Sequence, residues 1–415
     1  MRQVCKRLNE TSRIREVWLS QHRQYVAEKE FQPTMEEPLE SYSREELERW
    51  VLERRGADQE WALPGRSVRE RTISMEATSP IFVVPGGRWL LCSISDGSVM
   101  CHDLDHRDIR TSILIPSRDN SDDVTSYRLA IDIDNAVPRL KFNLVTFPSN
   151  YMGDSLFGNM DIMIWSVKLC GHGSTARLEA HLLHSFLAYE PGAMIRSYIE
   201  VFNWKLSKSS RHRKTVLYPG VESKAVRLLP GNRLIVLNSQ VVLVYNDIEL
   251  RDEQPSIPPP FSHSPTTPQW RHSGDYRFQT RLNVSISNDE VVSLVLPSKE
   301  QIYRLTIPHN PDVDPYLTGP IYADQSATRS STGFEKALFR EGQDSLVKLG
   351  FSWGSTMEKP TKQDLIVSPH LRGILCFADN YIIQTFLVEE TGRIILHPRK
   401  MIYILDTSVF LTGIE

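Results

Sequence analysis

Two histidine clusters, two acid pairs and one basic run are where residue types and spacing in this chain could support chemistry. The histidines lie in Gly171-His172-Gly173 and in His181-Leu182-Leu183-His184. An HxxH spacing presents two imidazoles to a metal less well than HExxH on a helix does, and no acidic third ligand accompanies it. In a strand, His181 and His184 are expected on opposite faces, because side chains alternate. Asp132 and Asp134, in LAIDIDNA, would share one strand face. Such a pair can move a proton or hold a cation. With Ala130, Ile131 and Ile133 fitting a buried opposite side, it reads instead as a solvated face. Asp103 and Asp105 read as hairpin-ending residues bonded to turn backbone.

The run KLSKSSRHRK carries Lys205, Lys208, Arg211, His212, Arg213 and Lys214. It could serve as an import patch, or as an RNA or phosphopeptide contact. Without interleaved aromatics, in a chain of net charge −3, it reads as a solvated loop. No GxSxG, P-loop or GxGxxG sequence is present, so nucleophile elbows and phosphate cradles have no support. No catalytic residue, metal ligand or cofactor is therefore expected, and the chain reads as a non-enzyme. Triads assembled from distant residues stay open at this level.

Composition narrows the partners and the compartment. The 415 residues hold 48 Lys+Arg against 51 Asp+Glu, a balance that argues against nucleic acid and anionic membranes as partners. Five scattered cysteines (Cys5, Cys92, Cys101, Cys170, Cys376) form no CxxC pair, the usage of a reducing compartment. Arg2, Lys6 and Arg7 have no apolar core behind them, so no secretory signal is expected. The longest nearly apolar stretch, Arg233 to Tyr245, is broken by Asn238, Ser239 and Gln240 and falls short of the roughly 18 residues a spanning helix needs. A cytoplasmic or nuclear location is expected.

The elements that would position these residues fall into two regions. Of the first 71 residues 28 are charged, a density well above that of the rest, and this places a boundary near Arg71. The first region, 1–71, reads as helical: Val4 pairs with Leu8, and Ile14, Val17 and Trp18 cluster at helical spacing. Its clearest helix runs from Ser43 to Arg55, with a Ser43/Glu46 capping box, a Leu47, Trp50 and Val51 stripe, and Gly56 as the stop. Pro33 and Pro38 mark an extended linker before it. Residues 72–415 change to short strands bounded by Gly, Pro, Asn or Asp, such as Arg88–Ile94, Ser98–Leu104, Leu140–Phe147, Asp161–Leu169, Arg233–Leu237, Val241–Tyr245, Gly373–Phe377 and Tyr381–Val388.

One repeat selects the architecture. VPGGRWLLCSISDGSVMCHDLD (Val84 to Asp105) matches LPGNRLIVLNSQVVLVYNDIE (Leu229 to Glu249), offset by 145 residues at the prolines and 144 at Asp103 and Asp247. Three blades of about 48 residues would give that spacing, close to the period of a β-propeller. A third hairpin, Asn288 to Ile307, has the same form. The fold class expected is mainly β: a helical segment, then a propeller of about seven WD-like but degenerate blades. A Pro-rich insert at 254–269 would project from it as a loop.

RQVCKRLNETSRIREVW (Arg2 to Trp18) resembles the second half of an F-box, the module that joins substrate adaptors to Skp/cullin ubiquitin ligases. The matching positions are Val4, Cys5, Lys6, Leu8 and Trp18. EPLESYSREELERW and the PGGRWLL…DGSVMCHDLD hairpin resemble fungal F-box proteins with a propeller-like C-terminal region, although His102 stands where a WD-type blade has Trp. The resemblance implies an adaptor that binds a Skp-type linker protein through those five residues and an unknown protein substrate through the propeller. A full F-box opens with a Leu-Pro-containing helix that precedes the matched stretch, and its absence from this sequence implies weakened linker binding. A free-standing propeller scaffold, and a propeller enzyme with a central-channel site, are the alternative readings.

Overall fold

The computed structural model describes residues 10–29, 33–62, 68–75, 80–106, 108–117, 127–134, 136–148, 157–191, 199–206, 212–221, 223, 225–253, 266–276, 284–287, 291–298, 301–322, 327–332, 335–341, 345–351, 353, 361–365, 384–398 and 401–407. Among these, the strands form six four-stranded antiparallel sheets and one three-stranded sheet. In chain order the sheets span 81–115, 127–191, 199–253, 225–273, 284–322, 327–365 and 384–406, the last completed by the strand Arg69–Ser74. Within each sheet the strands pair in chain order, apart from Arg69–Ser74 in the closing one, so each sheet runs up and down as a meander does.

Among the described residues, buried side chains join neighbouring sheets. Trp89, Leu91 and Val99 pack with Phe142, Leu144 and Val167; Leu237 and Val244 pack with Leu294 and Leu305. Leu338 and Leu346 pack with Leu396 and Leu405, and Ile395 and Ile404 pack back onto Leu90 and Cys92 of the first sheet. The circle closes when Arg69–Ser74 pairs with Met401–Asp406, in register from Arg69↔Asp406 to Ser74↔Met401. A ring of meander sheets closed by both ends of the chain is a β-propeller, which leaves only short edges open. The composition boundary near Arg71 falls inside that closing strand.

The expectation of about seven blades is corrected. Five blades have four strands without drawing on the other end of the chain, at 81–115, 127–191, 225–273, 284–322 and 327–365. The sheet at 199–253 has three strands, its outer one (Arg251–Glu253) lying between the third and fourth strands of the next sheet, and the closing sheet borrows Arg69–Ser74. A period read from two hairpins carries no sign of such exchanges.

The repeat itself holds, with its two copies in the first and fourth sheets. Leu104 N donates to Arg88 O at 2.8 Å and Ile248 N to Asn232 O at 2.9 Å, the same closure 144 positions apart. The predicted hairpin of the fifth sheet is present as Val291–Pro297 paired with Gln301–Pro308. The predicted strand Gly373–Phe377 lies outside the described residues.

Among the described residues, the long α-helices ahead of the ring are α1 (Arg15–Glu28) and α2 (Arg44–Ala62). The capping box of α2 is formed, Ser43 N donating to Glu46 Oε2 at 2.8 Å and Glu46 N to Ser43 Oγ at 3.2 Å. Gly56 does not stop the helix, which runs on to Ala62. A mid-helix glycine costs about 1 kcal/mol, offset here because Ala57 and Trp61, one turn further on, are buried. Ion pairs Lys29–Asp58 and Arg55–Glu28 tie the helices together, and Tyr25 meets Trp50 edge-on at 5.7 Å.

Candidate functional site

In a meander sheet the turn after the first strand and the turn after the third fall at the same end. Contacts from the N-terminal helices and their linker go to that end of the ring. Glu46 reaches His172 of the second sheet, and Glu36 reaches Arg88 of the first at 3.1 Å. Arg54 meets Glu390 of the closing sheet. On the sixth sheet Asp58 pairs with Lys336 at 2.6 Å, Trp61 donates to Leu349 O, and Lys348 donates to Glu60 O. A helix of 19 residues is about 28 Å long. α2 therefore lies as a chord across four consecutive sheets of this face, and the helical segment and the ring are one body.

At this end of the ring a cation recurs at the start of the second strand of a sheet and reaches the next sheet. Arg88 donates to Gly173 O at 3.1 Å, and Arg233 to Pro308 O. Lys336 donates to Glu389 O at 3.0 Å, and Arg393 to Leu104 O at 3.2 Å and to Gly87 O. The backbone before the three arginines is left-handed, with φ of 79° at Gly87, 54° at Asn232 and 65° at Gly392. At Gly392 a Cβ would stand 2.4 Å from Thr407 Oγ1 and 3.0 Å from Ala57 Cβ of α2. Gly392→Ala should therefore cost roughly 1–3 kcal/mol of unfolding free energy. Urea titration checks this; an unchanged midpoint would show that α2 does not bear on this turn.

Burial sets the charge states here. Arg88 donates twice to Asp103, at 3.0 and 2.8 Å. Burial, joined by Asp105 and Asp103 and opposed by Arg88, pushes Glu36 up to about 7. Glu53 on α2 is likewise pushed up to about 7 by burial and Asp105, against Arg54, Arg393 and Arg49. For Arg393 burial works against the charge, yet Asp406 and Asp105 hold it above its ordinary value.

The sequence-derived candidates sort unevenly onto this arrangement. Asp103 and Asp105 do end a hairpin, but their carboxylates hold Arg88 and Arg393 as well as the turn, where Asp105 N donates to Asp103 Oδ1 at 3.1 Å. Asp132 and Asp134 do not act as a pair: Asp134 binds Lys141 at 3.0 Å, whereas Asp132 feels the charge of Arg227 on the fourth sheet. Burial depresses that arginine first and Asp132 raises it. His181 and His184 share a face, contrary to strict alternation, because Leu183 bulges between the pairs Ser166↔His181 and Ile164↔His184. Among the described residues no third His, Cys, Asp or Glu joins any such pair as a metal site.

His102, in the WD-type Trp position, is buried, which lowers it to about 4, and its Nδ1 lies 2.9 Å from Thr111 Oγ1. The basic run is not wholly a loop, since His212–Leu217 is a strand with Lys214 buried over the Phe202 ring. Lys208 and Arg211 lie outside the described residues, as does 254–265 of the Pro-rich insert. Cys92 and Cys101 are buried thiols pushed up by burial, hence unreactive.

Of the F-box positions, Val4, Cys5, Lys6 and Leu8 lie outside the described residues. Trp18 sits on α1, donates to Ser12 O at 2.8 Å, and packs against the Tyr25, Trp50 and Val51 cluster. The recurring cation was legible only at Arg88 and Arg233. Thr391-Gly392-Arg393 carries the same Gly-Arg step without the proline that marks the other two.

No family model matches the chain, and no curated protein matches it. Solved structures do resemble it. The structure of YCF48 bound to D1 peptide is 9% identical, with a TM-score of 0.34, covering 83% of this chain and 98% of that one. The Myceliophteria thermophila Cps50 (Swd1) β-propeller domain is 10% identical, with a TM-score of 0.40, covering 82% and 99%. Saccharomyces cerevisiae Sqt1 is 6% identical, with a TM-score of 0.34, covering 82% and 98%. The propeller assignment rests on the strand order and ring closure of this chain itself.

Proposed function

We propose that this chain is a non-enzymatic interaction scaffold, a propeller that takes up a protein partner on its loops while its N-terminal helices stay fixed to the opposite end. The carrying observation is the chord of α2, pinned to three sheets by Glu46–His172, Arg54–Glu390, Asp58–Lys336 and Trp61–Leu349 O. A rigid ring with one end occupied by its own helices still offers the turns after the second and fourth strands as a broad surface. The groups with chemical potential at the capped end are engaged in bonds that hold the ring together.

The finer form of this proposal is an adaptor: the F-box-like helices meet a Skp-type linker, and the propeller holds the target at a fixed distance. A second reading, a free-standing scaffold, draws on Trp18, which packs inward on Trp50 and Val51. Calorimetry with a Skp-type linker separates them. The expected result is weak binding by the chain as it stands and at least tenfold tighter binding, about 1.4 kcal/mol, once a Leu-Pro helix is added upstream. No binding by either form would leave the free-standing scaffold.

A further inference from the structure

We infer that His172 is a pH-sensitive latch: it fastens the N-terminal helical cap to the propeller in mildly acidic solution and releases it as pH rises. His172 stands on the turn between the strands Phe157–Cys170 and Arg177–Pro191. Its Nδ1 lies 2.9 Å from Glu37 Oε2, in the linker, and its Nε2 lies 3.1 Å from Glu46 Oε2, on α2. A neutral imidazole has one N–H and one lone pair, so it can donate to only one carboxylate and must turn a lone pair toward the other. Only the imidazolium satisfies both. One proton thus joins the second sheet to two separate parts of the cap, and the side chain is 45% exposed, open to exchange with solvent.

Every charged neighbour bears on the sign. Arg139 NH2 approaches Glu37 Oε2 at 3.6 Å and also donates to Gly171 O. Arg110 donates to Ser174 O and Arg88 to Gly173 O, so both stand beside the same turn. Glu37 therefore keeps a cation when His172 loses its proton, while Glu46 keeps only Ser43. The bond to Glu37, with Glu46 adding to it against some burial, holds His172 above its ordinary value. The contribution of such a histidine is complete below its unfolded value near 6.5 and is lost as pH climbs through the folded value.

Part-buried carboxylates where the cap meets the ring act in the same direction. Glu36 faces Arg88, Asp103, Asp105 and Tyr42, and Glu53 faces Asp105, Arg54, Arg393 and Arg49. Glu390 faces Arg54 and Thr34. Glu36 and Glu53, neutral in the fold up to about 7, stabilise docking less as pH rises from their ordinary range to that value. Asp58, held down by Lys336 and Lys29 against burial, and Glu46, held down by Ser43 and His172 against burial, lose their contribution only in acid, below the ordinary carboxylate range. Docking is therefore firmest in mildly acidic solution.

Hydrogen exchange on the full chain tests this, comparing α2 amides with the strands Arg233–Leu237 and Val241–Tyr245 at pH 6 and pH 8.5, after correction for intrinsic rates. Protection of α2 is expected to fall at least fivefold relative to those strands. His172→Gln should lower it already at pH 6 and remove most of the pH dependence. His172→Lys, cationic at both values, should keep it high at pH 8.5. A His172→Gln profile unchanged from wild type would assign the dependence to the part-buried carboxylates and overturn the latch. A parallel loss in the reference strands would mean that the whole ring opens, which overturns it too.

Discussion

Replacing Arg393 by Met should cost roughly 3–5 kcal/mol of unfolding free energy, the scale for breaking a buried pair by removing one partner. Arg393 is among the largest fully buried side chains, and its Nε lies 2.7 Å from Asp406 Oδ1, itself 4% exposed. The guanidinium also donates to Gly87 O and to Leu104 O, so one side chain ties the closing sheet to the first. Asp406 has a second cation, Arg71 NH2 at 2.7 Å, from the strand that completes the ring. Removal of Arg393 thus leaves Asp406 half-compensated and two turn carbonyls without their donor, at the seam where the chain ends meet. Arg393→Lys should recover little, because one ammonium cannot serve a carboxylate and two carbonyls in the geometry of a fork. Denaturant titration gives the answer: a loss below about 1 kcal/mol would mean that the seam is held by the Arg69–Ser74 ladder alone.

The seam also shows what the sequence reveals and what it hides. The helix at Ser43, the hairpins at Arg233–Tyr245 and Val291–Pro308, and the repeat were all readable, because each rests on contacts between residues close in sequence. Strand pairing between Arg69 and Asp406 spans nearly the whole chain and leaves no local pattern. The three-stranded sheet was hidden for the same reason, since its outer strand Arg251–Glu253 follows three strands of another sheet. His172 stands out in the sequence only as a local histidine between two glycines, and its actual partners, Glu37 and Glu46, lie more than a hundred residues away. In the repeat the Arg stands simply between a Pro-Gly turn and a buried strand. Its role as a tie between sheets needed the position of the next sheet, which three-dimensional packing alone supplies.

Trp89→Ala should likewise cost on the order of 3–5 kcal/mol, the range for truncating a large aromatic in a core. Trp89 is 3% exposed and opens the strand Trp89–Ser93, every residue of which is buried. It belongs to the cluster that fills the space between the first and second sheets, with Leu91, Val99, Phe142, Leu144 and Val167. A closed ring limits how far two neighbouring sheets can move together, so the space left by the indole stays largely unfilled. That puts this site toward the upper part of the range, because the cost grows with the cavity that remains. Arg88, whose guanidinium lies 4.6 Å above the indole, would also lose the face it packs on while keeping its bonds to Asp103. Ile113→Ala is the matched control: Ile113 is 64% exposed on the outer strand of the same blade, and its truncation should stay within about 0.5 kcal/mol. Equal melting midpoints for the two variants would place Trp89 outside the core.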